Sequence, residues 1–170
     1  MMPRLISTFF FIGYLRPASG TWASLVAALI GLAVFQTGHG WLIPVMAVIA
    51  SLIGFWAVPL YLGEDRSADP SEVVIDEVAG QWIAMSFTAI PLWNHGVEMG
   101  LFSGAWPGWV APFLLFRLYD ITKPWLVGRA DRRHDAIGVM LDDIIAGIFA
   151  GLTGMVLAGL YHGVVQPWLS

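Results

Sequence analysis

The chain has 170 residues, of which 58% are hydrophobic and 12% charged, with a formal net charge of −4. A soluble domain carries about 25% charged residues, so this composition points to an integral membrane protein built as one domain, residues 1–170. Cysteine is absent, which excludes a disulfide scaffold, a thiolate metal site and a cysteine nucleophile; the negative balance gives no footprint for nucleic acid.

The chain opens with Arg4, an apolar run over residues 5–14 and then PASG. This has the outline of a weak signal peptide, but the run is short and leads straight into a motif, so an uncleaved interfacial segment is expected. In that motif, RPASGTWAS (16–24), Gly20, Thr21 and Ser24 place a turn and two hydroxyls at a helix start. Free backbone N–H groups at such a start bind anions, and an ordinary hydroxyl cap explains the pattern as well. No Asp, Glu, Lys or Arg occurs between Arg16 and Glu64. That is too long for one span of about 20 residues, and TGHG (37–40) breaks it. The spacing predicts helices over 21–36 and 41–62.

The loop EDRSADPSE follows. Its Glu64 and Asp65 are candidate ligands, although solvation explains them equally. A third helix is predicted over 76–93, opening with Asp76 and Glu77 in VVIDEVAGQWIAM. A fourth, over 106–119, ends in FRLYDITKP (116–124). There Arg117, Asp120 and Lys123, spaced i, i+3 and i+6, share one face. Arginine offers phosphate a bidentate fork and lysine a point charge, and Asp120 can serve as base, nucleophile or metal ligand. The competing reading is a cytoplasmic anchor with an internal salt bridge. GRADRRHDA (128–136) is a basic loop suited to anionic lipid, with His134 on its surface. The fifth helix, over 142–162, opens with Asp142 and Asp143 in GVMLDDIIAG and carries no charge from Ile144 onward. His39, His95 and His162 are isolated. Trp41, Trp93, Trp106 and Trp168 near predicted helix ends fit an interfacial belt.

Five helices alternate sides. All eight basic residues then fall on the side of residues 1–20, 63–76 and 120–142 or, as Arg117 does, at its boundary, which the positive-inside rule makes cytoplasmic. Eleven of the twelve acids lie there too, Glu98 being the exception. Acids contribute little to orientation, so their concentration signals function. IDEVAG and LDDIIAG each set two carboxylates ahead of a glycine, with Asp76 four residues from Gly80 and Asp143 four from Gly147. Residues four apart share a helix face, and a glycine there lets a second helix approach. One acid would satisfy the helix dipole. Two adjacent acids, used twice, repel unless a cation sits among them, and hard carboxylate ligands suit magnesium.

SGTWAS, DEVAG, FRLYDITKP and GVMLDDIIAG, in this order over roughly residues 13–151, resemble the phosphatidylglycerophosphatase A family. The resemblance implies a bacterial, multi-pass, all-helical inner-membrane bundle with a cytoplasmic N-terminus. It also implies a magnesium-dependent enzyme that hydrolyses the terminal phosphomonoester of phosphatidylglycerophosphate to phosphatidylglycerol at the cytoplasmic face. Asp76, Glu77, Asp142 and Asp143 would hold metal. Asp120, Asp142, Asp143 and Lys123 would act on the phosphoryl group. Arg117, Lys123, Thr21 and Ser24 would contact phosphate. Ser19, Ala23, Leu126 and Ala136 depart from the family pattern without removing a carboxylate or cation. Two other readings stand beside it. A CDP-alcohol phosphatidyltransferase would want an aspartate where Ala146 stands. A small transporter or scaffold would want ionisable groups near the midplane.

Overall fold

The computed structural model describes residues 1–63, 70–100, 105–133 and 135–161, and these contain helices and connections with no strand. Glu64, Asp65, His134, His162 and Trp168 lie outside the described residues. Seven α-helices occur among them: α1 (Met2–Ser7), α2 (Ser19–Gln36), α3 (Leu42–Leu62), α4 (Ile75–Asn94), α5 (Pro107–Thr122), α6 (Leu126–Asp131) and α7 (Ala136–Leu160), with a 3-10 turn at Ile12–Tyr14.

The all-helical expectation holds, with two corrections. First, α6 was not foreseen; it occupies the loop read as merely basic. Second, α7 begins at Ala136, not at Asp142. Its N-cap is Asp135, whose side chain accepts from the backbone N–H of Gly138 at 2.7 Å. Periodic hydrophobicity alone hid this start, because residues 136–141 read as the approach to the acidic pair. Of the five segments expected to span, α2, α3 and α7 are long and apolar enough by themselves to cross a bilayer, while α4 and α5 fall short of that length or hydropathy.

Small residues bring the helices together. Ala23, Ala27, Ala28, Ala79, Ala84, Ala89, Ala146 and Ala150 are buried, as expected where lipid supplies no hydrophobic drive and backbones must approach closely. Many large apolar side chains also point outward, among them Val48, Leu52, Trp56, Leu60, Leu152 and Val156. That apolar exterior suits a bundle bathed in lipid.

α4 is the central helix and packs most extensively on α7. Gly80 and Gly147 mark the crossing. A β-carbon on Gly80 would lie 2.6 Å from the Asp143 carbonyl oxygen and 2.5 Å from the Phe116 ring, and one on Gly147 would strike the Gly80 carbonyl. Around the site end, α1 and the 3-10 turn clasp the segment 70–74. Val74 N–H donates to the Ser7 carbonyl at 2.8 Å, and Gly13 lies against the Glu72 backbone with no room for a β-carbon.

Candidate functional site

The starts of α2 and α4, the end of α5 and the second turn of α7 converge at one end of the bundle. Between them lies a cleft of about 220 Å³ lined by Asp76, Glu77, Asp120, Asp142, Asp143 and Lys123, with Ser19, Pro70, Ser71, Val73 and Val139 completing its walls. The two acidic pairs, far apart in sequence, therefore face one space, as their shared pattern foretold.

Asp76 and Glu77 sit in the first turn of α4, after Val74, which offers no side-chain cap. Asp142 and Asp143 stand beyond the first turn of α7, which holds no acid. The unsatisfied N–H groups of a helix are confined to its first four residues, so the α7 pair cannot act as caps. Asp76, Asp142 and Asp143 are 7%, 5% and 3% exposed. Burying a carboxylate costs several kcal/mol unless it is paired. Yet Asp76 Oδ1, Glu77 Oε2 and Asp143 Oδ1 are buried with no hydrogen-bond partner. Asp76, Glu77 and Asp143 each present a ligand oxygen within 4.8 Å of the other two. Three mutually repelling carboxylates at that spacing, each with one buried oxygen left without a partner, have the donor set of a site for a hard cation.

Asp142 is differently engaged. Its Oδ2 receives Lys123 Nζ at 2.7 Å and its Oδ1 receives the Asp143 N–H at 3.0 Å. Lys123 Nζ also meets Asp131 Oδ1 at 2.5 Å. Lys123 closes α5 in a left-handed conformation, φ 45°, and the turn throws its side chain back over α6 and α7. Partial burial lowers its pKa, but the hydrogen bonds and charges of Asp131 and Asp142 outweigh this and hold it above the ordinary lysine range. The ammonium stays protonated, beside the cation site and on the cleft wall, where an anion bridging the two would lie.

Arg117 and Asp120 form an ion pair at 2.5 Å, as the i, i+3 spacing predicted. Asp120 lines the cleft; Arg117 stands behind it. Arg117 also reaches Ser24 Oγ at 3.4 Å, and Ser24 donates to the Gly20 carbonyl at 2.7 Å. A β-carbon on Gly20 would collide with the Glu77 carboxylate. Thus Gly20 makes room for Glu77, and Ser24 braces Arg117. Neither Ser24 nor Thr21 is on the cleft wall, while Ser19 is.

Sequence reasoning missed Asp131, Ser19 and Ser71. Asp131 was hidden in a loop read for its net positive charge, since its tie to Lys123 depends on the turn into α6, which has no periodic signature. Ser71 joins the wall because Ser19 Oγ donates to its carbonyl and Arg16 to its hydroxyl.

Residues 5–158 match the family model for phosphatidylglycerophosphatase A. A Bacteroides thetaiotaomicron protein provisionally named a phosphatidylinositol-3-phosphatase is 33% identical over 156 residues, covering 88% of this chain and 89% of that one. A Haemophilus influenzae phosphatidylglycerophosphatase A is 28% identical over 86% of this chain and 82% of its own length. An Escherichia coli protein of the same name is 31% identical over 59% of this chain and 47% of its own. No solved structure matches.

Proposed function

The chain belongs to the phosphatidylglycerophosphatase A family and is a phosphoric monoester hydrolase, and on that premise we propose that it hydrolyses phosphatidylglycerophosphate to phosphatidylglycerol and phosphate, with magnesium, at the cytoplasmic face of a bacterial inner membrane. The observation that carries this reading is the trio of buried, partnerless carboxylate oxygens of Asp76, Glu77 and Asp143 in the cleft that Lys123 also lines. A cation site and an anion site share one wall.

Magnesium held by these three carboxylates would withdraw charge from the transferring phosphoryl group and orient it. Lys123 contributes the second positive charge on the phosphate oxygens, and its ties to Asp131 and Asp142 fix where that charge stands. Arg117 orients Asp120, which enters the cleft as the candidate base or nucleophile; Asp142 and Asp143 border the same space. Ser24 and Gly20 support Arg117 and Glu77, and Thr21 stands at the same helix start. Departure of the phosphoryl group leaves an alcohol on a lipid whose tails never quit the hydrocarbon.

For topology we favour five crossings, with α4 and α5 passing among the three apolar helices, and a cytoplasmic N-terminus. The chain has no cysteine, so introduced thiols report cleanly. Arg132→Cys should react with an impermeant reagent only after the membrane is opened, and Thr37→Cys before. Reaction of both from one side would refute the arrangement.

The activity test is phosphate release from lipid in mixed micelles. It should require magnesium and vanish with chelator; full turnover in excess chelator would exclude the metal role. An acyl-phosphate trapped on Asp120, Asp142 or Asp143 would identify a covalent route. Because a relative bears the name of a phosphatidylinositol-3-phosphatase, phosphatidylinositol 3-phosphate belongs in the same assay. A higher kcat/KM for it would reassign the headgroup and leave the reaction class unchanged.

A further inference from the structure

We propose that Arg16 forms a second anion subsite at the cleft rim, one that binds the internal phosphodiester of the lipid while the carboxylates and Lys123 handle the terminal phosphate. This rests on the phosphatase reading above.

Arg16 Nη1 donates to Ser71 Oγ at 2.9 Å. Ser71 lines the cleft, as does Ser19, whose hydroxyl donates to the Ser71 carbonyl. The guanidinium therefore stands at the polar rim, tethered to the wall. It is exposed, and among the described residues no carboxylate pairs with it. Arg117, Lys123 and Arg133 are each committed to an aspartate. A guanidinium carries five N–H donors, and the serine occupies one, so a fork remains open to phosphate oxygens.

The substrate supplies a group for that fork. A phosphoglycerol lipid phosphate carries two anions: a terminal monoester, which is the reacting group, and a diester that joins the headgroup to the diglyceride. The diester lies at headgroup depth. Arg16 lies just ahead of α2, outside the apolar segment, at the same depth as the cleft. The plainer alternative is that Arg16 anchors a cytoplasmic helix end or braces the rim through Ser71. Neither role distinguishes one phosphate of the substrate from the other.

The reaction products separate the two anions. Phosphatidylglycerol retains only the diester; inorganic phosphate represents only the terminal group. With full-length protein in detergent and saturating magnesium, Arg16→Ala should raise KM for short-chain phosphatidylglycerophosphate and the inhibition constant of short-chain phosphatidylglycerol by about ten- to a hundredfold, the worth of a charge-assisted hydrogen bond. The inhibition constant of inorganic phosphate should stay put, kcat should change by less than about twofold, and Arg16→Lys should recover part of the loss. Ser71→Ala keeps the guanidinium and should weaken phosphatidylglycerol far less. An equal rise for phosphate would mean that Arg16 serves the whole cleft. Loss in Ser71→Ala equal to that in Arg16→Ala would mean that it only braces the rim. Unchanged constants would leave it an anchor; each of these three results overturns the subsite. A wild-type protein that releases no phosphate from the lipid would instead refute the phosphatase reading.

Discussion

IDEVAG and LDDIIAG are near copies in sequence and sit differently in space. In α4 the acids occupy the first turn, where the helix dipole favours them by about 0.3–1 kcal/mol. In α7 the helix starts at Ala136 on an Asp135 cap, and Asp142 and Asp143 lie beyond the dipole's reach. What the two motifs share is therefore not a helix start but the interval from acid to glycine. Gly80 and Gly147 touch at the crossing of α4 and α7, and counting back one turn from each glycine arrives at Asp76 and Asp143. The crossing point fixes where the carboxylates meet.

The largest effect expected from breaking this pairing comes from Asp76→Asn and Asp143→Asn. Asparagine caps a helix about as well as aspartate, so a capping role predicts near-normal turnover. A charged ligand role predicts a loss of about 10²–10³ in kcat, the scale of removing one preorganised electrostatic contact. Phosphate release from both variants, with folding checked by circular dichroism, decides between them. The Asp143 result weighs more, since its position already excludes a cap. Near-normal rates in both would leave no metal site.

Next in size are the glycines. Gly147→Ala would set a methyl against the Gly80 carbonyl, and Gly80→Ala would press on Asp143 and Phe116. Both neighbours are packed and one is backbone, so overpacking should cost about 1–3 kcal/mol and spread the carboxylates, raising the magnesium concentration needed for half activity. Gly159, whose β-carbon would meet nothing within 4 Å, is the control and should tolerate alanine. Equal behaviour of all three variants would show that the crossing does not set the site.

Much of this was legible beforehand because periodicity and charge carry it. Alternation of apolar runs with charged loops gave the positions of α2 to α5 to within a few residues. The acid-to-glycine interval brought Asp76 and Asp143 together on paper, and the i, i+3 spacing gave the Arg117–Asp120 pair. Three things were not legible. The start of α7 depends on one hydrogen bond accepted by the Asp135 side chain, six residues ahead of the pattern that drew attention. Lys123 meets Asp131 only because the chain turns left-handed at Lys123 and folds α6 back beneath it. Ser19 and Ser71 reach the wall through contacts between the N-terminal clasp and residues 70–74, which no local pattern encodes.

The difference between Lys123 and Asp131 gives an intermediate effect. Lys123→Ala removes the cleft cation and should raise KM for the lipid about tenfold or more, with the magnesium requirement unchanged. Asp131→Asn leaves the ammonium in place, still held by Asp142, and should raise KM by less. If Asp131→Asn matched Lys123→Ala, Asp131 would itself be part of the phosphate site.

The smallest effect sharpens the comparison at its root, the start of α7. Asp135 accepts from Gly138 N–H at 2.7 Å and pairs with Arg133 at 3.0 Å. Arg133 first, and then the Gly138 N–H, hold its pKa below the ordinary aspartate value. A carboxyl whose pKa is depressed on folding stabilises above its unfolded pKa, and that contribution disappears as pH falls through the folded value. Asp135→Ala should therefore lower stability by about 1 kcal/mol near neutrality, and the gap to wild type should narrow below about pH 4. Asp135→Asn keeps an acceptor and should lose less. Arg133→Ala removes only an exposed, solvent-screened ion pair and should cost less still. Thermal unfolding in detergent across pH measures all three, and activity per folded molecule should be unchanged, because Asp135 does not line the cleft. A gap that persisted at low pH would mean that the carboxylate charge is not what starts α7. The comparison with α4, which begins on Val74 with no side-chain cap, would then have to rest on packing at both helices.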